Sequence, residues 1–217
     1  GAVAAWARGA VVHIALCRLE LRDGRGEGPE APPDPGAPLA VIAGLVRDGR
    51  HVRADSSEAL RVAVSDALAG LADAPADVAL VVDGRGKMGQ SLAGLGALQP
   101  ALDRFVATAG HRVALLRWDG DGASVVAGLT QAPGVVPGAL RRLRAGSPDD
   151  RPRPIFAALA AAQGLPWDPA ARRLVLVLTA APARIDAQAD AVLAWTDTAS
   201  VAVQIVEPRA TASRRAP

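Results

Sequence analysis

Four uninterrupted apolar runs constrain this chain most: VALVVD at 78–83, RVALLRW at 112–118, LVLVLTA at 174–180 and SVAVQIVE at 200–207. None alternates apolar with polar residues, as a strand with one wet face would, so each is expected to be buried on both faces. Between them lie segments of helical tendency: SLAGLGALQPALDRFVATAG with a kink or break at Pro100, then VPGALRRLRAG, PIFAALAAAQG and IDAQADAVLAWTDT. ASVVAGLT, after the turn DGDG, reads as an antiparallel partner of the second run. Strands and helices in this alternation predict an α/β fold. It has a mostly parallel central sheet, one antiparallel edge strand and helices on both faces.

The first 76 residues read differently and form an N-terminal extension. A strand candidate at Val11–Leu21 is followed by the connector DGRGEGPEAPPDPGAP, which is too rich in Pro and Gly for a regular element. LAVIAGLVRDGRHVRAD then predicts a hairpin around Asp48-Gly49. DSSEALRVAVSDALAGLA predicts a helix with Asp55 as N-cap, Glu58 completing a capping box, and Leu60, Val64, Leu68 and Leu71 on one face. This extension either packs on the sheet or forms a small α+β unit. The expected division is 1–76 for the extension, 77–207 for the main domain and 208–217 for a tail.

Composition removes several classes of function. Half of the 217 residues are hydrophobic, which provides a core and excludes a disordered chain. Aromatic residues are 3% and Tyr is absent, so the stacking platforms of single-strand nucleic-acid binders are missing. The net charge of +2 comes with no dense basic block, which argues against a nucleic-acid partner. Cys17, the single cysteine, rules out an intramolecular disulfide and reads as a small core residue. No apolar stretch reaches the ~20 residues of a membrane-spanning helix, and the expected location is cytoplasmic. The sequence starts at Gly1 rather than Met, so a place in a larger chain or complex is expected.

The loop after the first run, DGRGKMG, holds the chemistry. A phosphate-binding P-loop fails at two positions, since Val81 stands at the first glycine and Met88 follows Lys87. Gly84, Gly86 and Gly89 do match G-x-G-x-x-G between a strand and a helix, and keep an NAD(P)-dependent oxidoreductase as the alternative function. Against it, Asp83 would face the pyrophosphate, and the next strand begins near Arg112, later than in the usual compact unit, with no acidic residue at the expected ribose-binding place.

Residues 77–207 resemble a von Willebrand factor type A domain in four segments. These are VALVVD with Met88-Gly89 opening the next helix, RVALLRWDGDGASVVAGLT, the helix start Arg-Pro-Ile-Phe at 153–156 where the family has Thr-Pro-Ile/Leu, and LVLVLTAAP where it has a strand ending Leu-Thr-Asp-Gly. The resemblance implies a metal-ion-dependent adhesion site with oxygen ligands from three loops. Carried over, that site keeps Asp83 but has Arg85 and Lys87 for its two serines, Arg153 for its threonine and Ala180 for its second aspartate. A degenerate, metal-free site follows, because ammonium and guanidinium groups cannot ligate a cation. Either Lys87 or a guanidinium balances Asp83 where the cation would have been, or the three basic side chains point into solvent.

The resulting expectation is a non-enzymatic protein–protein interaction or scaffold domain without cofactor, with Arg85, Lys87, Arg153 and Trp167 facing a partner that presents an acidic surface. The other candidates read as structural. Asp119 and Asp121 read as a tight turn, Asp149 and Asp150 as a solvated loop or, with Asp83, a surviving cation site, and RRLR at 141–144 as a solvated helix face. His13, His51 and His111 lack metal or catalytic spacing, and Trp118 and Trp195 read as packing residues.

Overall fold

The computed structural model describes residues 45, 50–54, 56–85, 93–120, 122–144, 146, 153–179, 183–184 and 186–208. The strand candidate at 11–21, the Pro/Gly connector, Cys17 and the tail lie outside these residues. The elements are β1 (Arg50–Ala54), α1 (Ser57–Ala69), β2 (Ala76–Asp83), a 3-10 turn (Ala93–Leu98), α2 (Gln99–Val106), β3 (His111–Asp119), β4 (Gly122–Thr130) and α3 (Val135–Arg142). They continue with β5 (Arg153–Pro154), α4 (Ile155–Gln163), β6 (Arg172–Leu178), β7 (Ala183–Arg184), α5 (Ala189–Thr198) and β8 (Val201–Pro208).

Six strands form one sheet in the order β1-β8-β6-β2-β3-β4, and β5 and β7 form a two-stranded parallel pair apart from it. Every neighbouring pair in the large sheet is parallel except β3 with β4. All eight residues of β2 are buried, as the continuous apolar run requires of a central strand. Its side chains alternate between two cores. Val78, Leu80 and Val82 join Leu60 and Val64 of α1, Leu102 of α2 and Leu140 of α3 on one face. Ala79 and Val81 join Trp118, Phe156 and Leu159 of α4 and Val192 of α5 on the other. Fully burying one such Leu or Val contributes about 1.5–3 kcal/mol, so changing the parity of a strand would expose a whole row of these side chains.

The hairpin expected around Asp48-Gly49 is not formed by its second arm. Arg50–Ala54 pairs parallel with β8, from Arg50 beside Gln204 to Ala54 beside Pro208, and Leu45 in the first arm is helical. β1 and α1 are therefore built into the same sheet and core as the later elements. A parallel partner some 150 residues away in sequence leaves no local signature, whereas a Asp-Gly dipeptide does.

The helix cap also moves by one residue. Ser56, not the expected Asp55, is the N-cap of α1, its Oγ accepting from Ala59 N at 3.0 Å; Asp55 itself lies outside the described residues. Glu58 instead pairs with Arg61 one turn on. The buried stripe Leu60, Val64 and Leu68 is as its spacing predicts. Pro100 does break its segment: a 3-10 turn containing Gly94 and Gly96 precedes it, and Pro100 sits in the first turn of α2, where its missing N–H costs nothing.

Candidate functional site

In a sheet of this kind ligands bind beyond the carboxyl ends of the strands, and Asp83 ends the central one. Its carboxylate is 1% exposed. Burying that charge is tolerable only with hydrogen-bond donors around it. Arg85 N–H donates to Oδ1 at 3.1 Å, the short-range turn that Asp favours at a strand end. Thr179 Oγ–H donates to Oδ2 at 3.0 Å. Thr179 stands beside Asp83 because Leu178 is paired with Val82 in the parallel register, and its own N–H donates to Val206 O at 3.0 Å. Thr179 thus joins the end of β6 to β2 through its hydroxyl and to β8 through its backbone N–H.

Arg85 reaches sideways. One of its terminal amino groups donates to the Gly120 carbonyl at 3.2 Å, joining the loop after β2 to the turn between β3 and β4. That turn is the tight one expected of DGDG: Asp119 pairs with Gly122, and Gly120 takes a left-handed φ of 70°, open to glycine without strain. Arg117 and Asp119 form an ion pair at 2.5 Å against Gly84, with side chains 28% and 43% exposed. A Cβ on Gly84 would lie 2.5 Å from Asp119 Oδ1 and 2.7 Å from Arg117 Nε, so only glycine fits beneath this pair as it stands. Gly84 is also covered by the segment after α3, since Gly146 N–H donates to its carbonyl at 2.6 Å.

A second carboxylate organises the neighbouring loops. Asp186, just before α5, accepts from Phe156 N–H at 2.9 Å and Ala157 N–H at 3.2 Å with Oδ2, and from Gln188 N–H at 2.9 Å with Oδ1. It therefore caps α4, a helix remote in sequence, and satisfies two of its orphan donors with the charge that a helix N-terminus favours. The pairing of Arg153 with Ala183 and Pro154 with Arg184 ties the same two segments together through the backbone.

Of the residues expected at the site, Asp83, Gly84 and Arg85 lie together at the sheet's carboxyl end. Arg153 is close in topology through β5, with its backbone alone described; Gly86, Lys87, Gly89, Asp149, Asp150 and Ala180 lie outside the described residues. Trp167 is at the opposite end. It precedes β6, packs half-buried against the second core, donates from Nε1 to Ala162 O at 2.9 Å, and meets Trp195 at a ring separation of 6.4 Å. Trp118 is fully buried. His111 is buried and stacked on Phe105 at 4.4 Å, with Nε2 2.9 Å from Ala74 O and Nδ1 3.3 Å from Phe105 O. Arg141, Arg142 and Arg144 are exposed on and just after α3, as a solvated face.

Sequence reasoning missed Thr179, Asp186 and the Arg117–Asp119 pair. Thr179 carried a signal: it is the oxygen-bearing residue at the end of a buried strand, level with Asp83. Among the described residues, no three His, Cys, Asp or Glu side chains are grouped to hold a metal ion, and no helix is long and apolar enough to cross a membrane.

Neither a protein-family model nor a curated protein matches this sequence. Among solved structures, the chain is similar to the vWF domain of the type V pili tip protein Mfa5 from Porphyromonas gingivalis, with 22% identity, a TM-score of 0.40, and coverage of 51% of this chain and 39% of that one. It is also similar to the SpRpn10 VWA domain, with 9% identity, a TM-score of 0.42, and coverage of 63% of this chain and 89% of that one. This chain thus spans 39% of the length of the Mfa5 structure.

Proposed function

We propose that this chain is a non-enzymatic protein-interaction domain of the von Willebrand type A kind, whose carboxyl-end loops recognise a partner with fixed charge and no metal. The observation that carries this reading is the state of Asp83. Protein donors engage both of its oxygens, one from the Arg85 backbone and one from Thr179, so the loops it joins are held by the chain itself. Arg85, which stands where a ligating serine is expected from the resemblance, brings a positive charge that repels a divalent cation.

The same loops are fastened to one another by the β5–β7 pair and by Asp186, which supports a binding surface shaped before the partner arrives. Such preorganisation lowers the entropic cost of association. Arg85, Lys87 and Arg153, with Arg117 now added beside Gly84, supply donors for carboxylates on an acidic partner.

Two experiments test the reading. A thermal melt of the chain with Mg²⁺, Mn²⁺, NADH, NADPH or EDTA is expected to be flat, because only a ligand that binds the folded state raises its stability. A rise with either metal overturns the metal-free site, and a rise with either dinucleotide restores the oxidoreductase. Binding of a fluorescent poly-glutamate peptide is expected to weaken with salt and with Arg85→Ala combined with Lys87→Ala. Salt-insensitive binding that survives both substitutions overturns the charge-based recognition.

A further inference from the structure

Away from the carboxyl-end loops, α1 and α2 lie side by side near the amino end of the sheet and leave a cleft of about 310 Å³ between them. That is at the small end of the ~300–1,000 Å³ of ligand sites, so it suits one small molecule rather than a segment of another protein. Its walls are mostly apolar. Leu68, Ala69 and Ala72 come from α1 and the turn after it, and Ala101 and Phe105 from α2. His111, the first residue of β3, stacks on Phe105 with the rings 4.4 Å apart and 6° from parallel, and its two ring nitrogens face the Ala74 and Phe105 carbonyls. The stack and these polar contacts hold the aromatic part of the wall in place.

Two charged groups line the same cleft, one from each helix: Asp66 on α1 and Arg104 on α2. Both are exposed, and among the described residues neither side chain has a hydrogen bond or an ion pair. A carboxylate and a guanidinium that share a small cleft without pairing leave a place for a ligand that carries both charges itself. α1 ends close to Asp66 with no basic residue in its last turn, so the carbonyl end of the helix adds to the attraction for an ammonium group. The planar fork of Arg104 suits a carboxylate.

We propose that this cleft binds a free α-amino acid with an apolar side chain of the size of leucine. Asp66 takes the ammonium, Arg104 takes the carboxylate, and the apolar walls from Leu68 to Phe105 take the side chain. Each feature removes an alternative. A wholly apolar ligand leaves both charges unused, and a dinucleotide exceeds the volume. A simple carboxylate brings its charge near Asp66 and a simple amine near Arg104, each a repulsion that the zwitterion offsets with its second group. The cleft is separate from the loops around Asp83, so its occupation does not depend on their partner.

Amide NMR spectra of the chain titrated with L-leucine up to about 10 mM test this. Signals of residues 65–72 and 101–111 should move together along one saturating curve. Isoamylamine, which lacks the carboxylate, and isocaproate, which lacks the ammonium, should each bind about tenfold more weakly, the worth of one charge-assisted hydrogen bond. Asp66→Ala and Arg104→Ala should weaken leucine binding by a similar factor with the melting temperature unchanged, because both side chains are exposed. Ala69→Trp, also at an exposed position, should fill the cleft and abolish binding. Spectra that do not move with leucine overturn the proposal. So does binding that either single-charge analogue matches or that survives both alanine substitutions, and so does leucine binding that Ala69→Trp leaves intact, since the ligand would then sit elsewhere.

Discussion

Strand β2 begins and ends near a buried aspartate, and the two are held in different ways. Asp77, at the amino end, receives a two-pronged grip from Arg112, with Nε and Nη2 each 2.7 Å from a carboxylate oxygen, and a further bond from Asp168 N–H at 2.7 Å. Arg112 continues to Pro166 O at 3.2 Å, and nearby Arg173 holds Ala199 O at 2.9 Å. This pairing raises the guanidinium pKa of Arg112 above its usual value, chiefly through its hydrogen bonds to Asp77. Asp83, at the carboxyl end, receives a loop N–H and a hydroxyl. The amino end is a charged fastener between strands and a loop, while the carboxyl end is a set of loop-forming bonds at the place where such sheets bind ligands. The difference separates residues that keep the fold from residues that shape a surface.

The largest effect is expected at the fastener. Asp77→Ala leaves the Arg112 guanidinium, 28% exposed, and Asp168 N–H without their partner. Removing one member of a largely buried pair costs about 3 kcal/mol. Chemical denaturation should show that loss, while any binding at the carboxyl end keeps its affinity in the fraction that remains folded. An Asp77→Ala protein as stable as the wild type would remove the distinction between the two ends.

The strands that carry these two residues were legible because burial on both faces leaves an unbroken apolar run, and VALVVD is that run. β1 was legible as an extended run, the second arm of the expected hairpin, but its pairing was not, because its partner β8 lies at the far end of the chain. The cap of α1 was misplaced by one residue because Asp55 and Ser56 are both capping types, and a nearby Glu58 favoured the wrong one. Asp83 was readable as a strand-end carboxylate. The bond from Thr179 was not, since it depends on the register of β2 against β6. Asp186 defeats local reading more thoroughly, as it caps a helix some thirty residues earlier in the chain.

Thr179→Val tests the carboxyl end itself. It keeps the β-branched shape and removes the hydroxyl that donates to Asp83 Oδ2. Depriving a buried carboxylate of one donor costs about 1–2 kcal/mol, less than the broken charge pair, and Thr179→Ser should recover most of it. Because the bond also positions the loop after β2, binding of an acidic peptide should fall in the valine variant and return in the serine variant. A stability loss matching that of Asp77→Ala, with peptide binding unchanged, would make both aspartates fasteners and erase the comparison.

Gly84→Ala should cost still less. The added methyl meets Asp119 Oδ1, the far end of its side chain, and Arg117 Nε and Cγ, part-way along theirs, so both partly exposed side chains must shift to admit it. About 1 kcal/mol covers the repacking. The informative readout is the salt dependence of peptide binding. If Arg117 contributes to the basic surface, displacing it should change that slope.

The smallest effect belongs to the rim of the carboxyl end, where α1 starts after β1. Glu58 and Arg61 pair there in full solvent, and the hydrogen bond from Arg61 holds the Glu58 carboxyl below its ordinary value of 4.5. A carboxyl whose pKa is lower in the folded state adds stability above its unfolded pKa and loses it as the pH falls through the folded one. Glu58→Gln should therefore melt slightly below the wild type at neutral pH, and the gap should close in acid, where both side chains are neutral. Melting curves of the two proteins across that range measure it, and added salt should narrow the neutral-pH gap in the same direction. A gap that persists in acid would mean that Glu58 acts through something other than its charge, so that even the rim of this end is held by shape rather than electrostatics.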